Sequence, residues 1–96
     1  MPSAYIIAQV SITDPDQYEQ YKKLSTLAMQ TYQAEVCVRG GAIEVIEGDW
    51  HPERLVILKF PSLEQARRFE ASPEYAVARA ARQGAAVMRM LLVEGS

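Results

Sequence analysis

The chain has 96 residues, of which 49% are hydrophobic and 23% charged, and its formal net charge is −2. This length predicts a single domain over residues 1–96, with a thin core that dimerisation would supplement. The absence of a basic run argues against nucleic-acid binding, and no apolar run approaches the roughly 18 residues of a membrane span. One cysteine, Cys37, cannot form an internal disulfide. The N-terminus does not resemble a signal peptide, so we expect a cytoplasmic location.

The first two predicted elements are a strand and a helix. Residues 5–12 alternate between a fully apolar face and a mixed face, which is typical of a strand with one buried side. Asp14 and Pro15 suit the N-cap and the first position of a helix, and Gln17 would complete a capping box. The apolar stripe of this helix predicts that it ends near Gln33.

The middle of the chain contains two strand-like pieces, residues 35–39 and 42–48, on either side of Gly40 and Gly41. No polar turn separates the two pieces. They therefore indicate one long strand with a bulge at the glycines. Residues 48–53 form the turn that follows.

The C-terminal half predicts a strand over residues 55–60, a helix capped by Ser62, and a last strand over residues 87–93. Ser72 and Pro73 repeat the helix-start pattern, so the helical segment is expected to be kinked or split. The order strand, helix, strand, strand, helix, strand is the α+β ferredoxin-like βαββαβ plan. This plan has an antiparallel sheet with helices on one face.

The second face of this sheet would be left uncovered by the helices. It is too apolar to be exposed, but three of its side chains are too polar for an ordinary core. Two such faces packed together would form a dimeric α/β barrel with a partly polar interior, so we expect a homodimer. A register error of one residue would reverse this assignment. The residues on this face are Tyr5, Ile7, Gln9, Ser11, Leu55, Ile57, Lys59, Val87, Arg89 and Leu91.

The segment Arg39-Gly40-Gly41-Ala42, followed by Glu44-Val45-Ile46-Glu47-Gly48-Asp49-Trp50, resembles the signature of the family called domain of unknown function 1330. Shorter matches extend along the chain to the closing residues 92–95. The resemblance implies the dimeric α/β-barrel superfamily, which includes cofactor-free monooxygenases, isomerases, haem-degrading enzymes and ligand-sensing domains. It implies no catalytic residue, and such a fold does not decide function.

Arg39 is the strongest candidate for a binding residue. Its planar guanidinium suits a carboxylate or enolate, and the adjacent Gly40 and Gly41 would let a ligand approach the backbone. The glycine pair lacks the spacing of a phosphate-binding loop and indicates a bulge with positive φ. Alternatively, Arg39 forms an ion pair with Glu44 or Glu47, or with the partner subunit.

Four other side chains are candidates for ligand contacts or proton transfer. Tyr18 and Tyr21 share the apolar stripe of the first helix, where they either line a pocket against the sheet or pack in the core. Trp50 either stacks on a ligand or closes the end of the core or interface. His51 could act as a general base with Asp49, or it is a solvated turn residue.

These residues favour a homodimer that binds a small anionic or aromatic metabolite near Arg39, Trp50 and the first helix, with no metal or cofactor. The alternative is a cofactor-independent isomerase or monooxygenase-like enzyme that uses the same pocket. Arg39 would then stabilise an oxyanion, and His51 or Tyr18 would move a proton. A purely structural dimer is the third possibility.

Overall fold

The computed structural model describes residues 2–96, which form one four-stranded antiparallel sheet and three helices. The sheet order is β2-β3-β1-β4, and the helices pack on one face only. The predicted ferredoxin-like plan is therefore confirmed. The elements are β1 (Ala4–Ile12), α1 (Pro15–Thr31), β2 (Glu35–Arg39), β3 (Arg54–Phe60), α2 (Leu63–Glu70), α3 (Pro73–Ala81) and β4 (Ala86–Glu94).

The core lies between the sheet and the helices. Alternate residues of β1 and β3 point towards it, as the period of two in their sequences predicts. The central β1 pairs with both β3 and β4, so its inward residues have neighbours on either side. The inward residues of the two strands are Ala4, Ile6, Ala8, Val10, Leu58 and Phe60, each at most 5% exposed.

The helix starts have the predicted caps but not the predicted capping box. Asp14 Oδ1 accepts a hydrogen bond from the Gln17 backbone N–H at 3.2 Å. The Gln17 side chain does not bond back to the cap. It donates instead to the backbone carbonyl oxygens of Ala81 and Gln83, at 3.1 and 2.7 Å. Because those two carbonyls lie at the end of α3, Gln17 joins the start of α1 to the end of α3. The split between α2 and α3 is as predicted, with Ser72 as the second cap.

The long second strand is the main error of the sequence-based prediction. β2 ends at Arg39, and residues 42–48 form no strand. The physical reason is the lack of a partner, since β3 begins only at Arg54 and the last backbone bond runs from Gly40 N–H to the Leu55 carbonyl oxygen. Residues 40–53, here called the arm, therefore leave the sheet.

The bulge is also in a different place from the one predicted. The pairing of β2 with β3 shifts between Val36 and Val38, so the extra residue is Cys37 and not a glycine of the arm. Gly40 does have the predicted positive φ, 76°, whereas Gly41 has none. The predicted bulge and the predicted positive φ thus occur at two different residues.

The uncovered sheet face and the arm both expose large apolar side chains. On β4, Val87 and Leu91 are 64% and 67% exposed. On the arm, Ile46 is 97% exposed. Single exposed apolar residues are ordinary, whereas large contiguous apolar patches usually mark surfaces for association. Over residues 2–96, no helix is long and apolar enough to cross a membrane.

Candidate functional site

The bulge at Cys37 determines the side of the sheet on which Arg39 lies. Arg39 pairs with Val56, which faces the helices. In a regular ladder that continued the Val36–Leu58 pair, position 39 would lie opposite Leu55 and face away from the helices. The one-residue insertion therefore directs the guanidinium towards α1, as bulges commonly do for side chains near sites.

Arg39 is held against α1 by one hydrogen bond. Its Nη2 donates to the Lys22 carbonyl oxygen at 3.2 Å, and the Thr26 hydroxyl donates to the same oxygen at 2.7 Å. The ion pair with Glu44 or Glu47 is not formed in the described chain. The guanidinium therefore keeps several donors without an anionic partner.

Arg54 lies beside Arg39 at the start of β3. Its guanidinium is packed against Gly40, where an added Cβ would lie 2.7 Å from Arg54 Cζ. The same group lies over the ring of Tyr18, 5.8 Å from its centroid, within cation–π range. Arg54 Nε is buried and has no hydrogen-bond partner among residues 2–96. Gly40 thus serves the site by making room for a second guanidinium.

The two arginines line an open cleft of about 600 Å³ between α1 and the end of the β2–β3 pair. Four of the side chains around it are cationic and one is acidic, although the whole chain has a net charge of −2. The carboxylate, Glu19, already pairs with Lys22 at 3.2 Å. The cleft therefore has an excess of positive charge, which favours an anion. The lining residues are Glu19, Lys22, Lys23, Thr26, Leu27, Arg39 and Arg54.

A cluster of tyrosines lies behind Arg39, between α1, α3 and the sheet. The rings of Tyr18 and Tyr21 are 5.2 Å apart, and the Tyr21 and Tyr75 hydroxyl oxygens are 2.8 Å apart. Burial raises the pKa of Tyr21, and the neighbouring Tyr75 raises it further. Burial also raises the pKa of Tyr18, against the opposing charges of Arg54 and Arg39. These phenols consequently remain protonated donors at neutral pH.

Trp50 is not part of this cleft. Its indole Nε1 donates to Gln9 Oε1 at 3.0 Å. Gln9 alternates with the buried Ala8 and Val10, so it belongs to the uncovered sheet face. The arm therefore carries Trp50 to the side of the sheet opposite Arg39. The predicted group of Arg39, Trp50 and α1 is only partly assembled, because Trp50 is separated from the other two by the sheet.

The remaining candidates lie on the arm. His51 is exposed, and it shares no hydrogen bond with Asp49 in the part of the chain that is described. Gly41 is exposed, and an added Cβ there would have no neighbour within 4 Å. Of the predicted site residues, the structure thus brings together Arg39, Gly40, Tyr18 and Tyr21.

Sequence reasoning missed Arg54 and Tyr75. The signal for Arg54 was present, since residues 56, 58 and 60 were expected to face the helices and position 54 continues that alternation. Tyr75 follows the second cap and lies on the buried side of α3. Its approach to Tyr21 depends on the packing of α1 against α3, which the sequence pattern does not specify.

Comparison with solved structures supports the fold. A protein of unknown function from Rhodopseudomonas palustris, RPA0582, is 21% identical with a TM-score of 0.74, covering 99% of this chain and 83% of that one. SnoaB from Streptomyces nogalater, described as a cofactor-independent oxygenase, is 12% identical with a TM-score of 0.68, covering 100% and 95%. A dimeric ferredoxin-like protein of unknown function from Bacteroides fragilis is 11% identical with a TM-score of 0.63, covering 96% and 95%.

Comparison with curated proteins found no match. The family model described as domain of unknown function, DUF1330, matches residues 3–96, which is nearly the whole chain. The residues that carried the resemblance, from Arg39 to Trp50, fall within this match. The chain belongs to the DUF1330 family.

Proposed function

We propose that the protein is a homodimer that binds a small organic anion in the cleft between Arg39 and Arg54. The observation that carries this proposal is a pair of guanidinium groups at one cleft, neither of which meets a carboxylate within residues 2–96. Like charges held together in a partly buried place repel each other, and an anion between them would remove that cost. Carboxylates and phosphates match the planar donor arrangement of arginine.

The arginines are tested by substitution and calorimetric titration with acetate and phosphate. Arg39→Ala and Arg54→Ala should each weaken anion binding by about 10- to 100-fold, the effect of losing a charged hydrogen bond. Arg68→Ala is the control, because Arg68 is exposed and pairs only with Glu64 on the outside of α2. Equal affinities in the wild-type protein and the three variants would exclude the cleft as the site.

Binding should also weaken as salt is added, because part of the attraction comes from exposed lysines at the rim. Lys23→Ala should then lower the affinity more in low salt than at physiological ionic strength, because salt already screens this exposed charge at the higher ionic strength. An affinity that is constant between low and physiological ionic strength would contradict an electrostatic site.

An enzymatic function at the same cleft is the second candidate. It is supported by the fold likeness to SnoaB, described as a cofactor-independent oxygenase, and by the position of Tyr18 below the Arg54 guanidinium. In this mechanism Arg39 and Arg54 would stabilise negative charge on an oxygen of the substrate, and Tyr18, a protonated phenol, would donate the proton.

Chemical conversion of a bound anion distinguishes an enzyme from a binding protein. If a bound anion is converted, Tyr18→Phe should abolish conversion while binding is retained. His51→Ala should leave conversion unchanged, because His51 lies on the exposed arm. Loss of conversion in the His51 variant would instead assign the proton transfer to the arm.

A further inference from the structure

The arm combines exposed apolar side chains with unpaired negative charge. Ile46 is 97% exposed, and the arm includes four carboxylates but no lysine or arginine. Within residues 2–96, none of these carboxylates forms an ion pair, and the backbone N–H groups of residues 42–49 donate to no backbone carbonyl oxygen. The arm therefore has contacts to make that its own chain does not supply. The four carboxylates are those of Glu44, Glu47, Asp49 and Glu53.

The uncovered sheet face has the complementary character. On β1, β3 and β4 this face is largely apolar, with two cations, Lys59 and Arg89, and no carboxylate. Lys59 has an acidic residue opposite it, because the register pairs it with Glu35 of β2. Arg89 lies opposite Gln9, is exposed, and forms no ion pair in the described part of the chain. Arg89 is thus the cation of this face with no acidic residue opposite it.

The arm begins on the correct side of the sheet to meet a second copy. The bond from Trp50 Nε1 to Gln9 Oε1 holds the end of the arm on the uncovered side. The bond from Gly40 N–H to the Leu55 carbonyl oxygen holds its two ends together, so the arm reaches at most about 23 Å, half its length at about 3.3 Å per residue. Packed sheets are only about 10 Å apart. The arm is therefore long enough to cross to a second copy.

We propose that the arm packs on the second copy, where a carboxylate of residues 44–49 pairs with the partner's Arg89. The acidic arm and the basic face belong to one chain, so in a two-fold dimer each copy supplies what the other lacks, and the contact forms twice. This inference rests on the proposed homodimer and is independent of the anion cleft, which lies across the sheet. Burial of Ile46 supplies hydrophobic free energy, and the ion pair selects the partner surface.

Two charge-reversed proteins test this pairing. The arm variant carries Glu44→Lys, Glu47→Lys and Asp49→Lys, and the face variant carries Arg89→Glu. Each alone brings like charges together at both arms of a dimer, so its dimer dissociation constant should rise at least ten-fold in light scattering over a dilution series. In an equimolar mixture opposite charges meet, and a heterodimer should form with nearly the wild-type dissociation constant. Native mass spectrometry identifies the heterodimer by its mass.

Arg68→Glu is the matched control, because it makes the same change in net charge on the outside of α2. It should leave the dissociation constant of the wild-type dimer unchanged. Mixed with the arm variant, it should associate less tightly than the face variant does, because Arg89 still faces the lysines of the arm variant. Equal association in the two mixtures would show that net charge, and not the contact with Arg89, restores the dimer.

Hydrogen exchange of the wild-type protein gives a second measurement, which decides the question if the arm variant fails to fold. The amides of residues 42–49 should exchange slowly in the dimer and rapidly in dilute, dissociated protein. Equal exchange at both concentrations would overturn the arm contact.

The outcomes separate the arm contact from the homodimer itself. A wild-type monomer would overturn the proposed homodimer, and this inference with it. If the wild type is a dimer, an unchanged dissociation constant in either variant, or a mixture that does not restore association, would overturn the arm contact alone.

Discussion

Position 40 requires glycine for two reasons, its backbone conformation and the side chain packed against it. Its φ of 76° lies in the left-handed region, and a Cβ there would displace the Arg54 guanidinium. Gly48 has a similar φ, 90°, but no atom within 4 Å of the Cβ position. Substituting each glycine by alanine therefore distinguishes two effects. Backbone strain is common to both positions, whereas displacement of Arg54 occurs only at position 40.

Gly40→Ala and Gly48→Ala should each lower the free energy of unfolding by about 1–2 kcal/mol, the cost of the left-handed conformation for a residue with a Cβ. Only Gly40→Ala should also weaken acetate binding, because it moves Arg54. Urea denaturation and calorimetric titration measure the two effects. A Gly40→Ala protein that binds acetate normally would show that the position of Arg54 is not critical.

The buried tyrosines predict a loss of stability at high pH. The pKa of Tyr21 and that of Tyr18 are raised above the ordinary 10.0, chiefly by burial, so the folded protein retains phenolic protons that the unfolded chain loses. The stability contributed by these neutral phenols is complete below pH 10 and falls as the pH rises towards the folded pKa values. The free energy of unfolding, measured in urea, should decline above about pH 10.

Tyr21→Phe tests the hydroxyl contact directly. Removing this oxygen breaks the 2.8 Å bond to Tyr75 in a buried place and should destabilise the protein by about 1–2 kcal/mol at neutral pH. The variant should also lose part of the decline above pH 10. Tyr5→Phe is the control, because Tyr5 lies on the uncovered sheet face. Similar effects of the two substitutions would contradict a special role for the Tyr21 hydroxyl.

At the scale of elements, alternation in the sequence correctly assigned the faces of β1, β3 and β4, because a period of two is a local property of a strand. The position of the bulge in β2 could not be predicted from alternation. Glu35–Arg39 is an exposed edge strand, and the identity of its extra residue depends on the register with β3. The arm was mistaken for a continuation of β2 because no polar turn separates the two segments in the sequence, although no strand lies beside residues 42–48.

Insertion of one alanine between Val38 and Arg39 should place Arg39 opposite Leu55, on the uncovered face. The fold should persist, since β2 is an edge strand, but acetate binding should fall as far as in Arg39→Ala. Deletion of Cys37 is the control, because it removes the extra residue, leaves Arg39 opposite Val56 and should bind normally. Circular dichroism and calorimetry measure the fold and the binding. Normal binding after the insertion would show that the arm absorbs the change in register.

At the scale of the molecule, the helices cover one sheet face and leave the other uncovered. The predicted sheet-face homodimer remains a proposal for this chain, supported by fold relatives described as dimeric. Leu91, which is 67% exposed on β4, would lie inside that interface. Leu91→Asp should therefore convert the dimer to a monomer at micromolar concentration, because an unpaired charge would be buried.

Val77→Asp is the matched control, because Val77 is 58% exposed but lies on α3, away from the uncovered face. Light scattering distinguishes the monomer from twice its mass. A wild-type monomer, or a Leu91→Asp protein with unchanged mass, would exclude association through this face.

A site residue could be predicted from the sequence where its signal is local to its own segment, and not where its position depends on the path of the chain. Arg39, Tyr18 and Tyr21 were identified from their own segments, because a charge in an apolar strand and aromatic residues on a buried stripe are local signals. Trp50 was grouped with them because it is near Arg39 in sequence. The arm takes it across to the other sheet face, a path that no local pattern specifies.

The position of Trp50 gives the protein an internal optical label. It is the only tryptophan in the sequence, it is 59% exposed, and its indole bonds to Gln9 on the uncovered face. A second copy that covers this face would exclude water from the ring, so the fluorescence emission should move to shorter wavelength as the protein is concentrated. Anions that enter the cleft lie across the sheet from the indole. Tryptophan emission would therefore report association separately from ligand binding, without any added dye.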